Sequence, residues 1–272
     1  MEKNTNKIFK LNSYLAVKGT PEEIVEKIVD NIPESDNIGF AGCLEKKWLK
    51  KLLERFIPDK TGNNQPYLYD SKYENEIKGI CEETIKKCEK FIDKKIHIFL
   101  FPTFDKFDAE KMGGVNGFSS WDNTILIFIN FVKGWEESLK ETIVHELAHA
   151  ISPFYKGGDF TIGEGLILEG LAEHFKDFII KARRSSWTKA ISKAEAEKIL
   201  KEIKATLNEK DFDKYSEIFY GTGKYPNWAG YTIGYYLIKD YFKNNGEKDW
   251  NKLLRKDPKK IFKEILPFQI PL

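Results

Sequence analysis

Two histidines four positions apart, His145 and His149 in "VHELAHAI", carry the first recognisable chemistry in this 272-residue chain. On an α-helix, residues i and i+4 lie one above the other on the same face. Their imidazoles then converge on one point, as two ligands of a tetrahedral zinc ion must. Glu146 follows the first histidine and is rotated aside, where its carboxylate reaches a water on the metal rather than the metal itself. That is the general-base position of a zinc hydrolase. Ile143, Val144, Leu147, Ala148 and Ile151 are apolar, so the helix is expected in the interior, ending at Ser152-Pro153. A core helix carrying two satisfied histidines is the rival reading.

A zinc site of this kind needs a third protein ligand, and "GEGLILEGLAEHFKDF" offers one. Glu169 follows His149 by 20 positions, enough for one helix to end, turn and send a second back alongside. Leu166, Leu168, Leu171, Ala172 and Phe175 surround it, and a carboxylate buried among them is costly unless a metal or a partner compensates its charge. Glu173, one turn on, is placed to accept a hydrogen bond from a ligating imidazole and so fix its tautomer. Glu164, in the similar "GEGL", is the alternative third ligand. His174 is either an oxyanion donor or an interfacial histidine.

The elements that must position these residues fall into three regions. The opening third reads as helical: "TPEEIVEKIVDNI" has Thr20 as N-cap, Pro21 at the first helical position and Glu23 closing a capping box. "LEKKWLKKLLERF" follows, and Ser71 and Glu74 cap a long helix with Ile77, Ile80, Cys81, Thr84, Ile85 and Cys88 on its apolar line. Two β-like stretches come next, "KKIHIFLFP" and Thr124 to Val132, separated by the Gly-rich turn "KMGGVNGFSSWDN". From Glu136 the chain is helical to its end. The fold class is therefore α+β, helix-dominated, with a small sheet and an active-site helix. Residues 1–93 are expected as a helical scaffold or lid, and 94–272 as the catalytic domain.

Composition narrows the function classes. Apolar residues make up 41% and charged ones 32%, as in an ordinary globular protein. The 44 basic and 42 acidic residues are interspersed and sum to +2, so there is no basic stripe to neutralise phosphates and nucleic acid is not expected as a partner. No stretch approaches the ~20 apolar residues that span a bilayer, so no membrane partner is expected. Cys43, Cys81 and Cys88 form no paired pattern and read as free thiols of a cytoplasmic protein.

HELAH followed by EGLAEHF resembles the gluzincin metallopeptidases, in which two histidines and a downstream glutamate bind zinc. More closely, the words "VHELAHAI", "LEGLAEHF" and "GYTIGYY" resemble a bacterial family of predicted zinc-dependent proteases, long classed as a domain of unknown function. They cover roughly Thr124 to Phe242, and the N-terminal third carries no such word. The resemblance implies a zincin-like fold, Zn2+ held by His145, His149 and Glu169, Glu146 as base and acid, and a peptide or protein substrate. It also implies that "NTILIFINF" is the edge strand of the active-site sheet, open to an extended peptide. "NWAGYTIGYYLI" would line the cleft opposite, with Tyr231 or Tyr235 donating a phenol hydroxyl to the developing oxyanion. Gly230 and Gly234 in that helix suggest the close approach of another helix or of substrate.

Two other functions fit parts of the sequence. A zinc-stabilised binding or regulatory protein would use the same ligands but close the metal with a fourth, and would not need Glu146. A DNA-associated regulator would need a basic recognition helix, for which "KARRSSWTKA" is the candidate.

Overall fold

The structure is a computed structural model that describes residues 8–31, 46–57, 72–121, 123–155, 159–181, 184–246 and 249–269. Cys43 and the proposed cap Ser71 lie outside them. The chain falls into two compact units, Met1–Ala150 and Ile151–Leu272. Together they form a helix-dominated α+β protein with one small mixed sheet, as the sequence predicts.

The first unit runs β1 (Phe9–Ser13), α1 (Pro21–Asn31), α2 (Lys46–Phe56), α3 (Lys72–Cys88), β2 (Ile96–Pro102), α4 (Lys106–Lys111), β3 (Val115–Trp121), β4 (Thr124–Ile129) and α5 (Trp135–Ile151). The predicted capping box opens α1: the Glu23 amide donates to Thr20 Oγ1 at 3.3 Å, and the Thr20 amide donates to Glu23 Oε2 at 2.9 Å. The sheet order is β1-β2-β4-β3, parallel except for β3.

Two expectations change here. The opening third is not wholly helical, because β1 adds to the sheet beside β2. The strand in "NTILIFINF" is not an edge strand. β4 pairs with β2 on one side and β3 on the other, and its six residues are all buried, which is why it reads as a continuous apolar run. Among the described residues the outer strand beside it is β3, drawn from the segment expected to be only a turn.

The two faces of the sheet have different neighbours. Phe99, Phe101, Leu126 and Phe128 form one core with the apolar sides of α1 and α2, and Phe118 of β3 packs against it. Gly117, adjacent in the strand and so facing the other way, lies against Thr142 and Glu146 of α5. Cys81 and Cys88 are buried free thiols on the inner side of α3, as expected, and burial pushes both up to about 12.

The second unit is helical: α6 (Ile162–Ile180), α7 (Lys193–Glu202), α8 (Phe212–Tyr220), α9 (Ala229–Asn245), α10 (Trp250–Leu253) and α11 (Pro258–Gln269). α6 is apolar almost all round and correspondingly buried, with a Thr161/Glu164 capping box at its start. Its tightest partner is α9. A Cβ on Gly170 would run into the Gly234 carbonyl, and one on Gly234 into the Leu166 carbonyl, so the two backbones touch. The close approach predicted from the α9 glycines is thus to a helix. Gly230 makes room for the Phe219 ring, 2.7 Å from where its Cβ would stand.

Candidate metal centre

α5 presents His145 and His149 from consecutive turns, with their Nε2 atoms 3.1 Å apart and their rings 78° from parallel. Zn–N bonds of about 2.0–2.1 Å at a tetrahedral angle set two nitrogens roughly 3.3 Å apart, so this spacing suits one ion. Glu169 comes from the middle of α6. The ligand atoms of His145, His149 and Glu169 all lie within 4.8 Å of one another. His149 and Glu169 are buried, and His145 is half-buried. Two imidazoles and one carboxylate are the donor set of a zinc site that keeps a position open, so the residues fit the metal.

Glu146 is buried on the side of α5 that faces β3. A Cβ on Gly117 would stand 2.6 Å from Glu146 Cγ and 3.0 Å from Oε1, so the carboxylate has its space because residue 117 lacks a side chain. The alternative ligand Glu164 is engaged elsewhere. Its Oε2 accepts from the Thr161 amide at 2.8 Å, and its Oε1 is 3.7 Å from Lys259 Nζ.

The model of one protein family, described as predicted Zn-dependent protease (DUF2268), matches residues 77–263, well over half of the chain. The chain belongs to that family. The match takes in the sheet from β2 onward, the α5 histidines and Glu169. No curated protein and no solved structure matches.

In this member of the family the charges next to Glu169 are compensated on the spot. Glu173 is 1% exposed and Lys176 is 0% exposed. Glu173 Oε2 accepts from Lys176 Nζ at 2.7 Å and from Ser185 Oγ at 2.9 Å, and its Oε1 accepts from Trp187 Nε1 at 2.8 Å. Lys176 Nζ also bonds to Ser185 Oγ. The sequence reading placed Glu173 near the metal but missed Lys176, Ser185 and Trp187. Lys176 had a local signal, since residues three apart on a helix meet. Ser185 and Trp187 had none, because a chain reversal brings them in.

Among its described residues the basic stretch "KARRSSWTKA" does not form one helix. α6 stops at Ile180, Lys181 takes a left-handed conformation, and Trp187–Lys189 is a single 3-10 turn. Arg184 turns inward, with its guanidinium 4.1 Å from the Tyr235 ring centre and 4.8 Å from that of Tyr236.

The two candidate tyrosines part company. Tyr231 stands edge-on to Phe219 at 5.3 Å, and its phenol is held well above the ordinary range by burial, by neighbouring phenols and by the Glu169 carboxylate. Tyr235 stacks on His174 at 4.3 Å beneath Arg184, and burial followed by the Asp177 charge raises its phenol. His174 donates from Nε2 to the Tyr235 carbonyl at 2.9 Å, and burial lowers its pKa to about 4, so the ring is neutral near pH 7.

Among the described residues no helix is long and apolar enough to cross a membrane.

Proposed function

We propose that this chain is a zinc-dependent peptidase of the gluzincin kind, with His145, His149 and Glu169 as ligands and Glu146 as base and acid. The observation that carries the proposal is the convergence of three ligand atoms within 4.8 Å of one another, with Glu146 beside the first histidine on the same helix. When bound, zinc supplies Lewis-acid polarisation of the scissile carbonyl and lowers the pKa of a water from 15.7 towards about 7.

The chain's own residues do the rest. Glu146 accepts a proton from the attacking water and delivers it to the leaving amine. Tyr231, half-buried and edge-on to Phe219, donates its hydroxyl to the oxyanion developing on the carbonyl. Tyr235 and His174 instead hold each other and Arg184. Glu173, fixed by Lys176, Ser185 and Trp187, steadies a ligating imidazole. An extended peptide adds to the outer strand β3 through main-chain hydrogen bonds, which carries it past Glu146 at Gly117. A cytoplasmic setting belongs to the same proposal, supported by the free thiols of Cys81 and Cys88.

Metal content by elemental mass spectrometry and peptide-library cleavage, on wild type, Glu169→Ala and Glu146→Gln, test this together. Near-stoichiometric zinc is expected in wild type and in Glu146→Gln but not in Glu169→Ala, with cleavage in wild type alone. Zinc in wild type without cleavage, or cleavage by Glu146→Gln at the wild-type rate, leaves a zinc-stabilised binding protein or a different mechanism. No zinc in any of them, even after reconstitution, removes the metal reading.

A further inference from the structure

α8, a helix that the sequence reading passed over, brings a group of rings to the face of α6 that bears Glu169. Gly165 lies four residues before Glu169, one turn away on that face. A Cβ on Gly165 would come within 2.9 Å of the Tyr215 ring and 3.1 Å of the Phe160 ring, so both rings lie on bare backbone beside the proposed ligand. From there the contacts spread. Tyr215 stacks on Phe219 at 4.0 Å and meets Phe160 and Tyr220 edge-on, each at 5.9 Å. Tyr155 leans on Phe160 at 5.3 Å, and Tyr231 stands edge-on to Phe219 at the same distance.

Exposure grades across this group. Phe160 and Phe219 are buried, Tyr155, Tyr215 and Tyr231 are half-buried, and Tyr220 is 41% exposed. A buried phenylalanine floor with a partly open tyrosine rim is therefore set beside Glu169.

We propose that this aromatic shelf is a substrate subsite that selects peptides with an aromatic residue next to the scissile bond. The proposal rests on the peptidase reading and on the Tyr231 position within it. Rings gain most from offset or edge-on contact with other rings, and tyrosine offers such contact at low conformational cost. A basic side chain would also meet ring faces. The carboxylate one turn from Gly165, however, is Glu169, which is assigned to the metal.

The test uses the zinc-loaded full chain and hexapeptides matched except for Phe, Ala or Lys at each position flanking the cut. At one position Phe should exceed Ala and Lys in kcat/KM by about tenfold or more, the size that pocket contacts of this kind support. Tyr220→Ala should reduce that ratio to about threefold or less, Tyr220→Phe should restore it, and Phe107→Ala, an exposed ring in the other unit, should not affect it. If Tyr220→Ala does not fold, Tyr155→Ala reads the same ratio. Equal rates for the three peptides, a preference for Lys, or a Phe preference that survives loss of the Tyr220 ring each overturn the shelf.

If no peptide is cut, the peptidase reading fails and the shelf is read by binding. Saturation-transfer NMR with N-acetyl-L-phenylalaninamide should show contact that N-acetyl-L-alaninamide lacks and that Tyr220→Ala abolishes. Absence of that difference overturns the shelf as well.

Discussion

Glu169, Glu173 and Lys176 are the charged side chains that lie buried on the largely apolar helix α6, and each needs a reason to be there. For Glu173 and Lys176 the reason is mutual, with Ser185 and Trp187 completing the hydrogen bonds. Lys176→Met leaves a buried carboxylate without its cation, and breaking such a pair costs about 3–5 kcal/mol. Thermal unfolding should show that loss, and the double variant Lys176→Met with Glu173→Gln should recover part of it. A single variant as stable as wild type would mean the pair does not hold the helix. The tyrosines give a second test. Tyr231→Phe should lower kcat by about 10²-fold or more with little change in KM, as for a lost oxyanion donor, while Tyr235→Phe should stay near wild type. Steady-state kinetics on any cleaved peptide separates the two.

Among the elements, the α6–α9 crossing is the least forgiving. Overpacking a core usually costs 1–3 kcal/mol, and at Gly234 the obstacle is backbone, the Leu166 carbonyl, which cannot rotate away. Gly234→Ala should therefore lose at least about 2 kcal/mol in denaturant unfolding and weaken zinc binding, because Gly170 at the same contact adjoins Glu169. A variant that unfolds like wild type would show that the helices can separate freely.

α4 carries a pH-dependent counterpart. Asp108 is buried between Thr103 Oγ1 and Asn116 Nδ2, each at 3.1 Å, and burial followed by the Asp105 charge raises its pKa to about 6. An acid raised in the folded state stabilises fully below its unfolded value near 4 and loses that contribution as pH rises towards 6. Asp108→Asn keeps a donor for Thr103 and an acceptor for Asn116 without the charge. It should gain on the order of 1–3 kcal/mol at pH 7–8 relative to wild type, and the gain should vanish by pH 4. Unfolding midpoints measured across that range check the sign.

For the molecule as a whole, metal binding and folding should be linked. A ligand bound only by the folded chain stabilises it by about 2.7 kcal/mol at a hundred times its Kd. Zinc added to chelator-treated protein should therefore raise the melting temperature. Glu169→Ala should lose most of that rise, since two histidines on one helix remain as ligands. Scanning calorimetry with and without zinc reads this independently of any substrate. A melting temperature that ignores zinc would mean that the three residues meet without acting as one site.

The local parts of this protein are written in its sequence. HELAH declares its geometry because i and i+4 share a face wherever a helix forms, and the Thr20 capping box and the inner line of α3 follow from the same short-range rules. Glu169 was legible because a carboxylate among leucines needs compensation. The glycines of α9 announced close approach to another element, though not which one. Tertiary structure alone decided the rest. β4 looks like any apolar strand until its two neighbours are known, and β1 joins the sheet across more than eighty residues. The pairing of Glu173 with Ser185 and Trp187, the parting of Tyr231 from Tyr235, and the rings that α8 brings beside Glu169 all depend on chain reversals. Helix geometry is set by neighbours within one turn, whereas pairing, burial and charge compensation are set by residues that become neighbours only when the chain has folded.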